Sequence, residues 1–459
     1  MRGRGNGHAV VLGAGMGGLL AAGVLADAYD HVTVVERDQL AQSPYDRRGV
    51  PQGRHVHGLL PGGASAIDEL FPGLLDELVE WGGTRLEDFT GFHFSPDGTH
   101  RISSRTAVEP IYQLSRPFLE TGVRGRVRAL SNVDILDGTD VVGLAADGSR
   151  VTGVRVVRRG APEELLAADL VVDATGRGSR TPAWLVELGY DRPAEDEVVI
   201  DVRYASSRVR LAPGAVPETL TVIGASPDRA AGMALASYEN GTWLLTVYGY
   251  GDTHPAPDYA SMVEFAAAYA PPHMTAALHA AEPVDEVSTF RFRANRRRRY
   301  DRLRRFPAGL LVFGDAMCAF NPIYGQGMSV AALQALVLRD CLRAGDRQLA
   351  RRFFRKAAKP IQVAWNMAVG GDLAMPYVEG RQALPLRLTN SYVGRVLVAA
   401  EHDPVVAARF FRVSAFVEKP PRLMTPAMVA RVVAANRRAR RGAPDAATPD
   451  RPVPSAVGS

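Results

Sequence analysis

Residues 8–36 read HAVVLGAGMGGLLAAGVLADAYDHVTVVE, and this stretch decides the fold. The apolar run at 8–12 predicts a short buried strand, residues 19–28 predict a helix, and residues 31–35 predict a second strand that ends at an acidic residue. A strand, a glycine-rich turn, a helix and a strand in that order form a βαβ unit, which is typical of a parallel sheet covered by helices. We therefore expect an α/β protein.

The turn after the first strand carries Gly13, Gly15 and Gly18 in the spacing GxGxxG. The first glycine permits a tight turn, the second lets the backbone approach a pyrophosphate, and the third allows close packing of the helix, whose N-terminus is partially positive. Glu36 ends the second strand, where an acid accepts both ribose hydroxyls and disfavours a phosphorylated ribose. These residues predict a site for FAD or NAD rather than NADP. The same site is expected to include Met16, Gly17 and Arg37.

Residues 310–328, LLVFGDAMCAFNPIYGQGM, form a second nucleotide-binding pattern far downstream. Asp315 follows a predicted strand, where its carboxylate can accept a ribityl hydroxyl. Gly325 and Gly327 expose backbone N–H groups where the next helix begins, and these can stabilise negative charge on a reduced isoalloxazine ring. Together with the first pattern, these residues favour FAD over NAD. Other members of this predicted site are Pro322, Gln326 and Met328.

Composition excludes several classes of protein. The 459 residues, 46% of them hydrophobic, are enough for one large domain or two intergrown domains with a well-buried core. Two cysteines without a CxxC motif provide no disulfide framework, so we expect a cytoplasmic protein. The net charge of +5 is concentrated in short arginine runs without a nucleic-acid-reading motif, and we expect no nucleic-acid partner. No apolar stretch is long enough to span a bilayer, which argues against an integral membrane protein.

The middle of the chain predicts an antiparallel sheet. Residues 232–238 and 242–248 flank Asn240-Gly241, a strong signal for a two-residue hairpin turn. Because this region lacks nucleotide motifs, we expect it to face the substrate. Trp243 and Tyr248 lie at odd spacing on one strand and therefore on opposite faces, so only one of them can line a cavity.

His57 is a further candidate for substrate contact. It shares one side of an extended segment with His55, but no third or fourth ligand at suitable spacing accompanies them, so we predict no metal site. No residue is singled out as a catalytic acid or base.

Three sets of motifs resemble the FAD-dependent monooxygenases of the aromatic-hydroxylase and squalene-epoxidase type. The motifs are GAGMGG at 13–18 with Glu36, DATGRGS at 173–179, and GDA at 314–316 with Pro322 and GQGM at 325–328. The resemblance covers most of the chain. It implies a glutathione-reductase-like Rossmann FAD-binding domain with an intergrown antiparallel-sheet substrate domain and a helical C-terminal region. It also places Thr175 and Gly176 in the FAD site.

A closer likeness is to the bacterial epoxidases of polyether polyketide biosynthesis, which RGVPQ at 48–52, RHVH at 54–57, Ser115-Arg116 and NPIYG at 321–325 resemble. This resemblance implies that Arg48 and Arg116 contact FAD. It also implies that one oxygen atom of O2 passes, through a flavin C4a-hydroperoxide, to an olefin of a hydrophobic polyketide or isoprenoid natural product. Ring hydroxylation, flavin-dependent dehydrogenation or reduction, and non-catalytic flavin binding are the alternatives.

The source of electrons is left open by one departure from the hydroxylase pattern. Hydroxylases carry Asp-Gly where this chain has Thr175-Gly176. NADPH or NADH is therefore expected to reduce the flavin either directly or through a separate reductase.

The motifs also predict a division of the chain. Residues 1–85, 111–190 and 301–345 are assigned to the FAD-binding domain, 86–110 and 191–300 to the substrate domain, 346–441 to a helical C-terminal region and 442–459 to a disordered tail.

Overall fold

The computed structural model describes residues 5–442. The strands are β1 (Gly5–Leu12), β2 (Tyr29–Val35), β3 (Thr84–Asp88), β4 (Phe92–Ser95), β5 (Ala107–Gln113), β6 (Val133–Leu136), β7 (Thr139–Asp147), β8 (Arg150–Arg158), β9 (Glu163–Ala167), β10 (Leu170–Asp173), β11 (Glu195–Arg210), β12 (Leu220–Ile223), β13 (Ala231–Ser237), β14 (Trp243–Tyr250), β15 (Glu282–Pro283), β16 (Ser288–Arg298), β17 (Leu310–Val312) and β18 (Cys318–Ala319). The helices are α1 (Met16–Ala26), α2 (Pro61–Leu70), α3 (Leu74–Glu80), α4 (Arg116–Arg128), α5 (Thr181–Glu187), α6 (Tyr259–Ala267), α7 (Pro272–His279), α8 (Gly327–Arg343), α9 (Leu349–Leu373), α10 (Leu384–His402), α11 (Pro404–Ser414) and α12 (Pro426–Gly442). Apart from Gly442, the predicted tail lies outside the described residues.

A five-stranded parallel sheet forms the nucleotide-binding part, in the order β17–β10–β1–β2–β6. Its central strand, β1, pairs with β2 and β10 and is apolar at every position from Ala9 to Leu12, because both faces of a parallel sheet are covered. The predicted βαβ unit is therefore confirmed. Helix α1 begins three residues earlier than predicted, directly after Gly15, and packs against α8.

The antiparallel sheet predicted for the middle of the chain is also present, in the order β18–β16–β11–β14–β13–β12–β4, with β15 also pairing with β11. Its edge strand β4 pairs with β12 in parallel. Asn240 and Gly241 both have positive φ, +63° and +64°, which a type I′ turn between β13 and β14 requires. One face of this sheet packs on α6 and α7 through a cluster that includes Leu245, Val247 and Met262. A two-stranded sheet of β3 and β5 and a three-stranded sheet of β7, β8 and β9 complete the β structure of residues 5–442.

The C-terminal helices belong to two different cores. Helix α9 buries Phe353 and Phe354 in the core of the parallel sheet, against α8. Helices α10 to α12 form another core with Phe89 and Phe92 of the 86–110 segment, through residues such as Phe411. The helical region predicted for 346–441 is thus divided after α9. No helix of residues 5–442 is long and apolar enough to cross a membrane.

Candidate active site

The glycine-rich turn between β1 and α1 leaves an open space above the helix N-terminus. Gly13 has φ +96°, and a Cβ on Gly18 would lie 1.8 Å from the Gly13 carbonyl oxygen, so both glycines are needed for the turn to pack. A Cβ on Gly15 would meet no atom within 4 Å. Since no side chain caps this end of α1, its backbone N–H groups and the open space fit a pyrophosphate.

A buried cluster of charges surrounds Glu36. Its carboxylate accepts the amide of Ala14 at 2.7 Å and Nη2 of Arg47 at 2.9 Å. Arg47 also donates to Glu120 at 2.7 Å, and all three charged side chains are buried. The resemblance named Arg48, but the structure exposes Arg48 and buries its neighbour instead, because Arg47 neutralises two buried carboxylates.

Arg116 lies at the first position of α4, beside this cluster. Its Nε is 4.0 Å from Oε2 of Glu120, and both atoms are buried without a hydrogen-bond partner among the described residues. Buried polar atoms in that state are ordinarily satisfied by a bound group or by ordered water. Arg37, in contrast, is exposed, and Arg48 lines a separate polar cavity of about 970 Å³.

The 314–327 loop meets the DATG motif, although the two are far apart in sequence. A Cβ on Gly176 would lie 4.0 Å from Cβ of Asp315, and a Cβ on Gly327 would lie 3.9 Å from its Oδ1. Burial raises the pKa of Asp315, and Arg116 and Arg177 oppose that rise. The structure therefore brings Gly176, Asp315 and Gly327 together beside cationic groups, as a cofactor that spans both motifs requires.

The remaining predicted FAD residues hold or border these loops. Met16 and Met328 are core residues, and a Cβ on Gly17 would lie 3.5 Å from the ring of Phe313. The exposed Thr175 is fixed by Asp173, whose carboxylate accepts its amide at 3.0 Å. Pro322, Gly325 and Gln326 line the cavity described next.

A largely apolar cavity of about 1610 Å³ adjoins the 314–327 loop. Its walls are the antiparallel sheet, residues 322–326 and helices α9, α10 and α11. Of the three predicted substrate contacts, His57 and Tyr248 line it. Trp243 does not: it lies on the opposite face of β14 and packs against the α6–α7 cluster, as the alternation of a strand dictates.

The histidines 55 and 57 are both neutral in this environment. Burial lowers the pKa of His55 to about 4 and that of His57 to about 3. Nδ1 of His55 is 2.7 Å from the hydroxyl of Ser206, and Nδ1 of His57 is 2.8 Å from the carbonyl oxygen of His55. Residues 5–442 contain no cluster of three or more His, Cys, Asp or Glu side chains suited to a metal ion.

Sequence reasoning missed Asp372, near the end of α9. This fully buried carboxylate accepts hydrogen bonds from Tyr250 at 2.9 Å, Tyr324 at 3.0 Å, Asn321 at 2.9 Å and Asn295 at 2.6 Å. Asn321 and Tyr324 belong to the 314–327 loop, so Asp372 joins α9 to that loop. A single acid in a helix carries no motif, and only its position in the fold distinguishes it.

The comparisons with known proteins agree with this geometry. Residues 7–345 match the model of the FAD binding domain family. Over 446 residues, 94% of each chain, the sequence is 40% identical to Protein Rv3254 of Mycobacterium tuberculosis (strain ATCC 25618 / H37Rv). It is 29% identical over 364 residues to 6-methylpretetramide 4-monooxygenase of Streptomyces rimosus, covering 76% of this chain and 78% of that protein.

The fold is shared with solved structures as well. The crystal structure of p-nitrophenol 4-monooxygenase PnpA from Pseudomonas putida DLL-E4 has a TM-score of 0.64 at 19% identity, covering 88% of this chain and 96% of that one. The glycine turn, the Asp315 loop and the unsatisfied polar atoms between them fit FAD. The chain belongs to the FAD binding domain family and is an FAD-dependent monooxygenase.

Proposed function

We propose that this monooxygenase hydroxylates a ring carbon of a polycyclic aromatic compound. The observation that carries this proposal is the cavity of about 1610 Å³, which adjoins the 314–327 loop. Pockets of about 300–1,000 Å³ hold drug-sized ligands, so the cavity has room for several fused rings beside the part of FAD that Pro322, Gly325 and Gln326 would contact. The relative from Streptomyces rimosus, whose name specifies 6-methylpretetramide, supports the same class.

The residues of the chain would bind, orient and shield the substrate, while reduced FAD supplies the activated oxygen atom from O2. The apolar sheet face and helices α9 to α11 would surround the substrate with apolar side chains. The N-terminus of α8, at Gly327, adds partial positive charge beside the cofactor site. His57 is neutral, and burial raises the pKa of Tyr204 and Tyr324, so we assign substrate deprotonation to none of them.

We propose that FAD lies between the glycine turn and the 314–327 loop, and that Arg47 takes the role that the resemblance gave to Arg48. Its contacts would be Gly13, Gly15, Glu36, Arg116, Thr175, Gly176, Asp315, Pro322, Gly325, Gln326 and Gly327. The buried Nε of Arg116, which has no hydrogen-bond partner among the described residues, supports this placement of FAD. We retain the predicted domain division, with α9 joined to the FAD-binding part because it packs in that core.

Epoxidation of an olefin is the second candidate. The absence of a group that titrates near neutral pH among His57, Tyr204 and Tyr324 favours it, because transfer of oxygen to a double bond needs no base. Neither relative nor the structure named above bears an epoxidase name.

The experiment that tests the function is turnover under 18O2 with purified FAD-loaded protein and NADPH or NADH, with and without a flavin reductase. A tetracyclic polyphenol, 4-nitrophenol and a conjugated polyene are offered separately, and products are read by mass spectrometry and NMR. We expect one 18O atom on a ring carbon of the tetracycle. An epoxide from the polyene alone would establish the second candidate, and no labelled product from any compound would refute both.

The electron donor is tested in the same preparation without oxygen. NADPH or NADH should bleach the visible flavin band, directly or only after a reductase is added. Bleaching that requires the reductase would assign that partner, and direct bleaching would exclude the need for it.

A further inference from the structure

The hydrogen of the Tyr324 hydroxyl is committed to Asp372. The bond is 3.0 Å long, and the other partners of this carboxylate, Tyr250, Asn321 and Asn295, also donate to it. Burial raises the pKa of Asp372, while these hydrogen bonds, which favour the ionised form, oppose the rise. A carboxylate surrounded by donors acts only as an acceptor. Tyr324 must therefore present oxygen lone pairs, and no hydrogen, to anything in the cavity.

The position of Tyr324 is fixed by the residue before Asp372. A Cβ on Gly371 would lie 2.4 Å from Oη of Tyr324, so the hydroxyl rests directly on the α9 backbone. Tyr324 and Gly371 both line the large cavity. Any side chain at position 371 would therefore displace the hydroxyl from its place beside Asp372.

Two other polar residues on the cavity wall, Tyr204 and His57, also present lone pairs. Tyr204 donates its hydrogen to Oδ1 of Asn321 at 2.7 Å. Nδ1 of His57 faces the carbonyl oxygen of His55, which can only accept, so Nδ1 carries the ring hydrogen and Nε2 keeps a lone pair. Nε2 has no hydrogen-bond partner within residues 5–442. The hydroxyls of Thr246 and Tyr248 differ, because they accept the backbone amides of Val56 and Ala225 and so keep hydrogens of their own.

We propose that Asp372 is a positioning residue that sets the hydrogen-bond polarity of the cavity beside the 314–327 loop: by holding Tyr324 as an acceptor, it selects ligands that present a donor there. This inference rests on the proposed function and narrows its substrate class to rings that carry free hydroxyl groups. A ligand without a donor leaves a buried acceptor unpaired, which we expect to weaken binding about tenfold for each lost hydrogen bond.

The test compares 2-hydroxyanthracene with 2-methoxyanthracene, which differ by the loss of one donor. Binding to the oxidised, FAD-loaded protein is measured without an electron donor, from changes in the flavin spectrum and fluorescence. We expect the phenol to bind about tenfold more tightly, and Tyr324→Phe to bring the two affinities together. The matched control is Tyr377→Phe, because Tyr377 donates to the carbonyl of Ser226 outside the cavity wall and should leave the ratio unchanged.

Asp372→Asn should change the ratio of the two affinities in a direction that loss of packing alone would not produce. The new amide can donate to Oη of Tyr324, which frees the tyrosine hydrogen to point into the cavity, so the preference should shift towards the ether. Asp403→Asn is the control, since Asp403 is a buried aspartate that caps α11 and makes no hydrogen bond to the cavity wall. It should lower the melting temperature without changing the affinity ratio.

Equal affinities in the unaltered protein, or an unchanged ratio in Tyr324→Phe, would overturn the proposal. Both measurements decide it even if Asp372→Asn fails to fold. Because no turnover is involved, the result is independent of the 18O2 experiment: a protein that discriminates but oxygenates no ring would refute the proposed function alone.

Discussion

The change Gly15→Ala should abolish tight FAD binding and leave the fold intact. Gly15 has φ −76° and ψ 177°, an extended conformation that alanine adopts without strain. Its Cβ would meet no protein atom within 4 Å, so the apoprotein has room for the methyl group. That room is the space which we assign to the pyrophosphate, and the methyl group would hold the phosphates away from the N-terminus of α1.

The size of the effect follows from the bonds that would be lost. Two hydrogen bonds from backbone N–H groups to charged phosphate oxygens contribute about 1.5 kcal/mol each. Losing both, about 3 kcal/mol, weakens FAD binding roughly a hundredfold. Gly18→Ala should instead lower the stability of the fold, because its Cβ would lie 1.8 Å from the Gly13 carbonyl oxygen. Overpacking of this kind costs about 1–3 kcal/mol of stability.

The assay measures two quantities on each variant: the melting temperature without FAD and the dissociation constant of FAD from quenching of its fluorescence. Gly15→Ala should keep the melting temperature of the unaltered protein and lose affinity, whereas Gly18→Ala should lower the melting temperature by several degrees. Unchanged FAD affinity in Gly15→Ala would refute the pyrophosphate assignment. A melting temperature lowered as far as in Gly18→Ala would refute the argument from open space.

Three further predictions follow from buried groups. Arg47→Met removes the closest cation from two buried carboxylates, Glu36 and Glu120, and should cost about 3–5 kcal/mol, seen as a lower melting temperature of the apoprotein. The exposed Arg48→Met should change the melting temperature little, and equal effects would contradict the assignment. Since burial lowers the pKa of His55 to about 4, the unfolded chain takes up a proton that the folded chain does not, and stability should fall as pH drops from about 6.5 to 4. His55→Gln should flatten that decline in a series of melting temperatures, and parallel curves would exclude a contribution from this histidine. Gly371→Ala places a Cβ 2.4 Å from Oη of Tyr324 and should abolish the phenol preference measured above, whereas a retained preference would show that the hydroxyl has another support.

The parts of the fold that sequence could predict are those encoded by local signals. Glycine spacing with Glu36 specified the βαβ unit, and Asn240-Gly241 specified a hairpin, because each pattern answers a backbone requirement within a few residues. The 314–327 loop was recognisable for the same reason. Its contact with Gly176 required only that two loops after parallel strands meet at one edge of a sheet.

What sequence could not predict depends on long-range burial. Arg47 and Arg48 are adjacent and chemically alike, and only the folded chain distinguishes the buried one from the exposed one. Trp243 and Tyr248 are both aromatic residues of β14, and only the structure shows that Tyr248 faces the cavity and Trp243 the opposite side. The walls contributed by α9 to α11 were missed because an apolar residue that faces a cavity has the same helical period as one that faces a core.

Asp372 shows why such a residue needs a functional explanation. It lies at the end of α9, where the helix dipole is negative and disfavours an anion, and burial adds a further cost. No lysine, arginine or histidine within residues 5–442 forms a salt bridge with it. An apolar residue would suit a purely structural role at this position. Removing one member of a satisfied buried network is costly, but replacing the whole network by well-packed apolar residues often costs no stability. We therefore infer that the network serves to position residues. It holds the 314–327 loop against α9 and determines which atoms of Tyr324 a ligand contacts.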